Sequence, residues 1–423
     1  MSWPSAAAAG CSEVSGTWAG VPALLARAST HLLGPHDEHG AVGVAKDRQA
    51  VRPTSWSDLA YTGPDGIRIR DLWPCHLKAS RRTLKASKRS GGRQMPTTAV
   101  ETDIIKDAVQ TACRAPSLHN SQPWQWVFNR GQLRLFLDPS RVMDTDHSAR
   151  EALISCGAAL DHLRVAMAAA GWQSHIDRFP EPTSANHLAS IDFTPRDLVT
   201  ERDRRLAGAI EARRTDRLPF SAVTEWQSIE AVVASSANRQ AVHLEVIADD
   251  LHPRLEEAAQ IAESLRMYDT PYHNELHWWT APFEPSEGIP YSALVSAAEG
   301  DRVGVGRVFP VTRRPERRLE IPEDHAKVLL LSTDDDTRAD ALAAGEALSA
   351  TLLECTMAGL ATCTVTHLTE LSVTRELIRS LMDHDAMPQV LIRVGMVPVT
   401  EKVPPPTPRR PLSTVLRLRG YGE

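Results

Sequence analysis

The sequence contains no apolar run that approaches the roughly 20 residues needed to cross a bilayer, so we expect no membrane-spanning segment. Cysteines are also few for a chain of 423 residues, and they show neither a CxxC pair nor regular spacing. They are Cys11, Cys75, Cys113, Cys156, Cys355 and Cys363. Because a chain of this size does not need disulfide bonds to fold, this usage predicts a protein of the reducing cytoplasm.

Signals for metals and dinucleotide phosphates are weak. His273 and His277 could share one helical face, but a zinc protease needs Glu at the next position and this chain has Asn274. Gly304 and Gly306 lack the third glycine of a dinucleotide-binding fingerprint and the strand that should precede it. We therefore expect no metal site and no Rossmann-type nucleotide site.

The first 94 residues differ in charge from the rest of the chain. They carry 13 Lys/Arg against 7 Asp/Glu, whereas the whole chain has a net charge of -6. They mix Pro, Gly, Ser and Ala without helical or strand periodicity, so we expect a largely disordered basic extension. The basic cluster lacks a nucleic-acid-binding motif and interleaved aromatics, and nucleic-acid binding is not expected.

A folded domain is predicted from Met95 onward. Thr98 and Glu101 stand at capping-box spacing before an amphipathic helical pattern. The completeness of the chain from this point raises the hypothesis that Met95 is the true start, which N-terminal sequencing of the native protein would test.

Two similar segments indicate an internal duplication. Gly157-x-Ala-Leu is followed after nine residues by Ala-Gly171, and Gly345-x-Ala-Leu is followed after the same interval by Ala-Gly359. Each segment reads as a helix of small residues that ends on a C-cap glycine and leads into a strand. Ala-rich helices ending in Gly are common, which leaves coincidence as the alternative. On the duplication hypothesis the halves are 95–200 and 201–423.

The segment at about 280–320 is irregular and rich in Pro and Gly. A long loop inside a compact domain is usually functional or disordered. We interpret it as a lid inserted in the second half, and the sequence does not decide whether such a lid opens.

Two clusters of polar residues are candidates for ligand binding. The segment 114–124, RAPSLHNSQPW, has amide and hydroxyl side chains that suit the donor and acceptor edge of a heterocycle, although an Asx-rich turn would also explain them. The segment 213–217, RRTDR, offers guanidinium forks and a hydroxyl that match phosphate, but taken alone it also fits a solvated surface run. Arg409-Arg410 is a second candidate phosphate contact.

These clusters resemble motifs of one family. RAPSLHNSQPWQW resembles the APSxxNxQPW segment of FMN-dependent nitroreductases, and RRTDRLPF is similar to their RRSxRxF phosphate motif. GLATCTVT (359–366) is similar to the family's "GLG" turn before a substrate-facing strand, and PTPRRPL (406–412) to its C-terminal Arg segment. The arrangement over about 99–418 resembles the Acg-like branch, in which two nitroreductase halves are fused. The resemblance implies an α+β nitroreductase-like fold with mixed sheets flanked by helices.

The resemblance also implies a site. Residues at the phosphate and ribityl end of FMN would be Arg213, Arg214, Thr215 and Arg217, with Arg409 or Arg410 helping. Residues lining the isoalloxazine ring would be Pro116, Ser117, Asn120 and Gln122 from the other half, together with Thr364, Val365 and Thr366.

The implied activity is an oxidoreductase that takes electrons from NADH or NADPH and reduces a small electron-poor acceptor such as a nitroaromatic or quinone. No catalytic side chain is assigned, because the cofactor carries the chemistry. The alternative is an FMN-binding or FMN-sequestering protein whose closed lid permits little turnover.

Three departures from the family pattern carry consequences. Because each half has only one of the two motifs, we expect one flavin per chain. Asp216 lies beside the phosphate arginines and could orient them or weaken phosphate binding. His367 stands where the family often has a small residue, which would change access to the ring.

Overall fold

The computed structural model describes residues 100–237, 242–281, 286–310, 312–401 and 403–419. The predicted basic extension and the residues from Met95 to Ala99 lie outside the described residues. The first helix, α1 (Thr102–Ala112), begins later than the predicted capping box implies. Glu101 is its N-cap residue and its side chain makes no capping hydrogen bond.

The first sheet contains five strands. They are β1 (Trp124–Asn129), β2 (Gln132–Leu137), β3 (Trp172–Arg178), β4 (His187–Pro195) and β9 (Leu416–Arg419). The order is β3-β4-β2-β1-β9, and all neighbours are antiparallel except β1 and β9, which are parallel. The helices α2 (Arg150–Ala169) and α3 (Glu201–Ala212) accompany this sheet. The C-terminal strand of the chain therefore returns to the first sheet.

The second sheet contains four antiparallel strands. They are β5 (Val242–Ile247), β6 (Lys327–Thr333), β7 (Ala361–Val365) and β8 (Met387–Gly395), in the order β5-β6-β8-β7. The larger helices around it are α4 (Trp226–Ala237), α5 (His252–Arg266), α6 (Thr270–Thr280), α8 (Arg338–Met357) and α10 (Ser372–Arg379). Short helices are α7 (Ala297–Asp301), α9 (His367–Glu370) and α11 (Leu412–Val415).

The two sheets repeat one plan. In the first, the order β3-β4-β2-β1 matches β7-β8-β6-β5 in the second, and α2 precedes β3 as α8 precedes β7. Even the irregularity is repeated, since pairing shifts between Leu135 and Phe136 of β2 and between Leu331 and Ser332 of β6. The α+β fold with two related halves is thus confirmed. The mixed character is confined to the first sheet.

The helices α2 and α8 pack at glycines. A Cβ atom on Gly157 would lie 2.0 Å from the Leu342 carbonyl oxygen, and one on Gly345 would lie 2.0 Å from the Ile154 carbonyl oxygen. Only glycine permits this approach of the two backbones. The two small-residue helices noted in the sequence therefore form the contact between the halves. By length and composition α2 could cross a membrane, but 83% of its apolar window is buried inside the protein, as in a core helix.

The segment predicted to be irregular contains more structure than expected. It includes the end of α6, one helical turn at Tyr291–Ala293, and α7, which begins with a capping box made by Ser296 and Glu299. Two ion pairs stabilise it. Within the segment, the partly exposed Arg317 pairs with the buried Glu299 at 2.8 Å, and the buried Arg318 attaches the segment to Asp216 at 2.5 Å. We refer to residues 286–325 below as the covering segment.

Candidate functional site

Two adjoining cavities lie where residues of both halves meet. The larger has a volume of about 290 Å³ and the smaller about 40 Å³. Pro116, Ser117 and Arg217 line both. A volume near 300 Å³ is at the lower end of the range for small-molecule sites. The pair of cavities therefore suits an elongated ligand with a bulky end and a compact end.

The smaller cavity is lined by guanidinium groups. Five arginines contribute to it, together with hydroxyl and amide side chains; they are Arg114, Arg213, Arg214, Arg217, Arg409, Thr215, Thr407 and Asn120. Only one carboxylate faces them within salt-bridge distance among the described residues, the exposed Glu211 at 3.7 Å from Arg114. The cavity thus holds a surplus of positive charge, as an anion site does.

Arg213 is the most unusual member of this group. Its side chain is buried, its Nε has no hydrogen-bond partner, and no carboxylate among the described residues pairs with it. It donates only long hydrogen bonds, 3.5 Å to Thr215 Oγ1 and 3.3 Å to the Arg114 carbonyl. Burial, followed by repulsion from Arg114 and Arg214, lowers its pKa to about 10. A buried cation without a counterion is costly unless a ligand supplies the negative charge.

Arg409 reaches the same cavity from the C-terminal segment. Its guanidinium donates to the carbonyls of Cys113, Arg114 and Ala115 at 2.9–3.2 Å. Burial, followed by repulsion from Arg213 and Arg114, lowers its pKa to about 9. Arg409, unlike Arg410, is therefore the C-terminal arginine that the structure places with Arg213.

The loop before β1 forms the wall between the two cavities. Ser117 Oγ accepts a hydrogen bond from the backbone N–H of Gln122 at 3.0 Å, which closes the loop on itself. His119, Asn120 and Gln122 have φ values of 49°, 60° and 52°. Non-glycine residues at positive φ are strained, and such strain is concentrated at functional sites.

Asn120 lines the smaller cavity and is partly satisfied by the protein. Its Nδ2 donates to the Gly288 carbonyl at 3.0 Å and to the Pro408 carbonyl at 3.2 Å. Its Oδ1 is buried and lacks a partner. The amide therefore ties the loop to the covering segment and keeps an acceptor for a ligand.

Gln122 and Arg410, which the resemblance also assigns to the site, line neither cavity. Gln122 is fully buried; its Nε2 donates to the Ser286 carbonyl at 2.9 Å and its Oε1 accepts from the Arg410 amide at 2.9 Å. Arg410 lies 3.8 Å from Asp138 and donates to the Gln122 carbonyl. Because their polar groups are used within the protein, these two residues join the loop, the covering segment and the C-terminal segment.

The larger cavity is bounded on one side by the end of β7. Thr364, Val365 and Thr366, which the resemblance assigns to the flavin ring, all line it, and His367 follows them. His119 faces it from the loop before β1. Burial, followed by the charge of Arg307, lowers the pKa of both histidines to about 3, so each imidazole is neutral.

Arg217 connects the two cavities. Its guanidinium lies 5.1 Å from the centre of the Phe309 ring, within cation–π distance, and makes no hydrogen bond with the described residues. Burial lowers its pKa. The neighbouring Asp216 is turned away from the phosphate candidates, since its carboxylate pairs with Arg318 and its amide donates to the Thr362 carbonyl at 2.9 Å. Asp216 therefore orients the covering segment and does not orient Arg213.

The covering segment forms part of the wall of the larger cavity. Val295, Val303, Arg307 and Phe309 line it. Arg307 forms an ion pair with Glu370 and donates to Thr366 Oγ1 at 3.2 Å and to the Tyr272 hydroxyl at 3.1 Å. The sequence interpretation missed Arg307, because nothing in an irregular segment shows which side chain turns inward.

Within the described residues, no group of three or more His, Cys, Asp or Glu side chains is arranged to hold a metal ion. The charged groups of the site are instead guanidiniums. Its chemistry is that of anion and heterocycle binding.

Comparison with known proteins places this site in context. No family model matches the chain. The chain is 56% identical over 326 residues to a Mycobacterium tuberculosis protein provisionally named NAD(P)H nitroreductase acg, covering 77% of this chain and 98% of that protein. It is 51% identical over 321 residues to an uncharacterized protein of the same organism, covering 75% and 93%. A Bacteroides fragilis nitroreductase solved with bound FMN has a TM-score of 0.31 and 13% identity, covering 47% of this chain and 92% of that one.

Proposed function

Because the chain belongs to the Acg-like branch of the nitroreductase family, we propose that it binds one FMN between its halves and passes electrons from NADH or NADPH to a small electron-poor acceptor. A nitroaromatic compound or a quinone is the acceptor class we propose. Bound FMN would supply the chemistry, accepting two electrons from the nucleotide and releasing them to the acceptor.

The uncompensated charge around Arg213 is the observation that carries this proposal. A phosphate dianion in the smaller cavity would neutralise Arg213 and Arg409 and accept hydrogen bonds from Thr215. Charge-assisted hydrogen bonds of this kind contribute about 1.5–3 kcal/mol each. The residues present therefore fit the phosphate end of FMN.

The larger cavity fits a flavin ring in its chemistry. Pro116 and Ser117 line it from the loop before β1, and Thr364 to Thr366 line it from the end of β7. Arg217, which makes no hydrogen bond with the described residues, would place positive charge at the junction of ring and side chain. The covering segment would exclude water from the ring, which strengthens electrostatic interactions inside the cavity.

A second candidate function is FMN sequestration with little turnover. The observation that favours it is the attachment of the covering segment, because the buried pair of Arg307 and Glu370 lies directly beside Thr366. Burial opposes ionisation of Glu370, but the guanidinium of Arg307 outweighs it and lowers the Glu370 pKa to about 2. This ion pair persists throughout the physiological pH range and would hold the segment closed.

An absorption experiment tests both functions. The protein is loaded with FMN, and NADH or NADPH is added without oxygen, followed by a nitroaromatic compound or a quinone. Bleaching by a nucleotide and recovery with an acceptor would support the reductase. A flavin spectrum that ignores both nucleotides would support sequestration, and failure to retain FMN at all would overturn the proposed site.

A single variant distinguishes a covering segment that stays closed from one that opens during turnover. Arg307→Gln removes the ion pair that holds the segment over the cavity. If the segment sequesters FMN, this variant should gain NAD(P)H oxidation and release FMN faster than the wild type. If the segment already opens during turnover, FMN release should accelerate without a gain in the rate of reduction.

A further inference from the structure

One aromatic side chain of the covering segment lies between two polar groups of the site. The Phe309 ring lines the larger cavity. Its centre is 5.1 Å from the guanidinium carbon of Arg217 and 6.1 Å from the centre of the His119 imidazole, which it meets edge to face. Both are ordinary contact geometries for an aromatic ring. Arg217 follows α3, whereas His119 belongs to the loop before β1, so the ring joins two segments that are far apart in the chain.

Neither polar partner is held by the rest of the protein. Among the described residues, the Arg217 side chain makes no hydrogen bond or ion pair, and the His119 imidazole makes no hydrogen bond. His119 also has a φ of 49°, in a region that residues with a side chain rarely adopt. The Phe309 ring is therefore the contact that the two side chains share.

This contact lies where the two cavities meet. Arg217 lines both cavities, whereas Phe309 lines the larger one. Val308 also lines the larger cavity and is 60% exposed, so the cavity reaches the protein surface beside the ring. A phosphate group that moves from this opening to Arg213 in the smaller cavity therefore passes the Phe309 ring.

The chain is anchored on both sides of Phe309 but not at Phe309 itself. On one side Arg307 forms its ion pair with Glu370, and on the other Thr312 Oγ1 donates to the Val295 carbonyl at 3.0 Å. The backbone N–H and carbonyl groups of Phe309 make no hydrogen bond with the described residues. A short stretch of chain with few hydrogen bonds opens more easily than its surroundings. The ring can therefore move while the rest of the covering segment stays in place.

We propose that Phe309 is a gate at the junction of the two cavities, whose ring leaves Arg217 and His119 each time FMN enters or leaves. This inference rests on the proposed binding of FMN, but it does not require electron transfer. The ring returns to the same contacts once FMN is in place. It therefore slows association and dissociation by the same factor and leaves the affinity unchanged.

The test measures both rate constants for Phe309→Ala. Stopped-flow fluorescence gives the rate of FMN association, and exchange of isotope-labelled FMN against excess unlabelled FMN gives the rate of release. Both rate constants should rise at least about tenfold, because a minor open state is typically populated at about 0.1–10%. The dissociation constant of FMN should stay at the wild-type value.

Two further variants protect this test from changes in folding. Phe309→Leu keeps an apolar side chain but loses both aromatic contacts, so it should also accelerate both steps. Leu319→Ala is the matched control, because Leu319 is an apolar residue of the same segment that is 70% exposed and lines neither cavity. Its association and release rates should equal those of the wild type.

The possible outcomes distinguish the gate from the proposed function. Wild-type rates in both Phe309 variants would overturn the gate. Faster release alone, with a matching loss of affinity, would also overturn it and would show that Phe309 packs against bound FMN. A wild type that does not bind FMN would refute the proposed function, whereas FMN binding with unaltered rates would refute the gate alone.

Discussion

The two halves diverge at one point along equivalent strands. Counting seven residues from the glycine that ends each small-residue helix, Gly359 leads to Thr366 and Gly171 leads to Arg178. Thr366 lines the larger cavity. Arg178 instead donates from Nε and Nη2 to the two carboxylate oxygens of Glu346, each at 2.7 Å, and Glu346 is 1% exposed.

The next position shows the same contrast. His367 follows Thr366 in the cavity wall, whereas Phe179 follows Arg178 and packs against the apolar core. Duplication thus preserved strand order, the glycine contact and the strand irregularity, while the polar residues of the site were kept at one of two equivalent places. The bidentate ion pair of Arg178 and Glu346 stands at the position equivalent to the cavity-lining Thr366, which agrees with the proposal of one FMN per chain.

The largest expected effect concerns the feature that the halves share. Gly157→Ala and Gly345→Ala each place a Cβ about 2.0 Å from a backbone carbonyl oxygen. Because a backbone cannot yield as a side chain does, each should lower the free energy of unfolding by about 3 kcal/mol. Urea denaturation measures this.

Gly208→Ala is the control for these two substitutions. Gly208 lies in α3, and an added Cβ would meet nothing within 4 Å. Alanine should therefore stabilise α3 by about 0.5–1 kcal/mol. If Gly157→Ala and Gly345→Ala differed markedly from each other, the two helices would not be equivalent at their contact.

The second prediction compares FMN binding after substitution of one arginine in each half. Arg213→Gln removes the buried guanidinium of the smaller cavity and should weaken FMN binding about 100-fold. Arg178→Gln breaks the ion pair at the equivalent strand end and should leave FMN affinity and a stoichiometry of one FMN per chain unchanged. Fluorescence titration with FMN measures both. A second equivalent of FMN bound by either protein would contradict the single-site interpretation.

The paired helices and the strand after Gly359 could be predicted from the sequence, because the spacing of small residues reflects the geometry of the backbone. The glycine intervals around Gly157 and Gly345 predicted the paired helices, because only small residues allow such close packing. The strand after Gly359 was also predicted, and Thr364 to Thr366 do line the larger cavity.

Sequence reasoning failed where the direction of a side chain depends on tertiary contacts. Gln122 and Asn120 have similar side-chain amides two residues apart. The Gln122 side chain is hydrogen-bonded to Ser286 and Arg410, whereas Asn120 Oδ1 has no hydrogen-bond partner. Arg307 was missed for the same reason. Its position in the cavity wall depends on Tyr272, Thr366 and Glu370, which lie at least 35 residues away along the chain and which no local pattern encodes.

A smaller effect sharpens the contrast between His367 and Phe179. His119, His162 and His367 are buried with pKa values lowered to about 3, by burial first, from 6.5. The unfolded chain binds protons at these histidines below pH 6.5 and the folded chain does not, so stability is lost as pH falls from 6.5 toward 3. Each histidine contributes about 1.4 kcal/mol per pH unit. His367→Phe should reduce the slope by that amount, which urea midpoints at pH 7 and pH 5 would show, and an unchanged slope would mean that His367 is protonated when folded.

The smallest effect tests whether the ends of the two helices remain equivalent. Gly171 and Gly359 have φ values of 87° and 77°, a region that L-residues with a side chain disfavour. An added Cβ on Gly359 would meet nothing within 4 Å, and one on Gly171 would make an ordinary contact of 3.6 Å with Val199. The cost of each alanine is therefore conformational and should be about 1 kcal/mol at both positions. Equal losses in thermal or urea unfolding, with FMN binding unchanged in both variants, would show that the halves diverged only beyond these glycines. A larger loss at Gly359, accompanied by weaker FMN binding, would show that the site extends back to the turn itself.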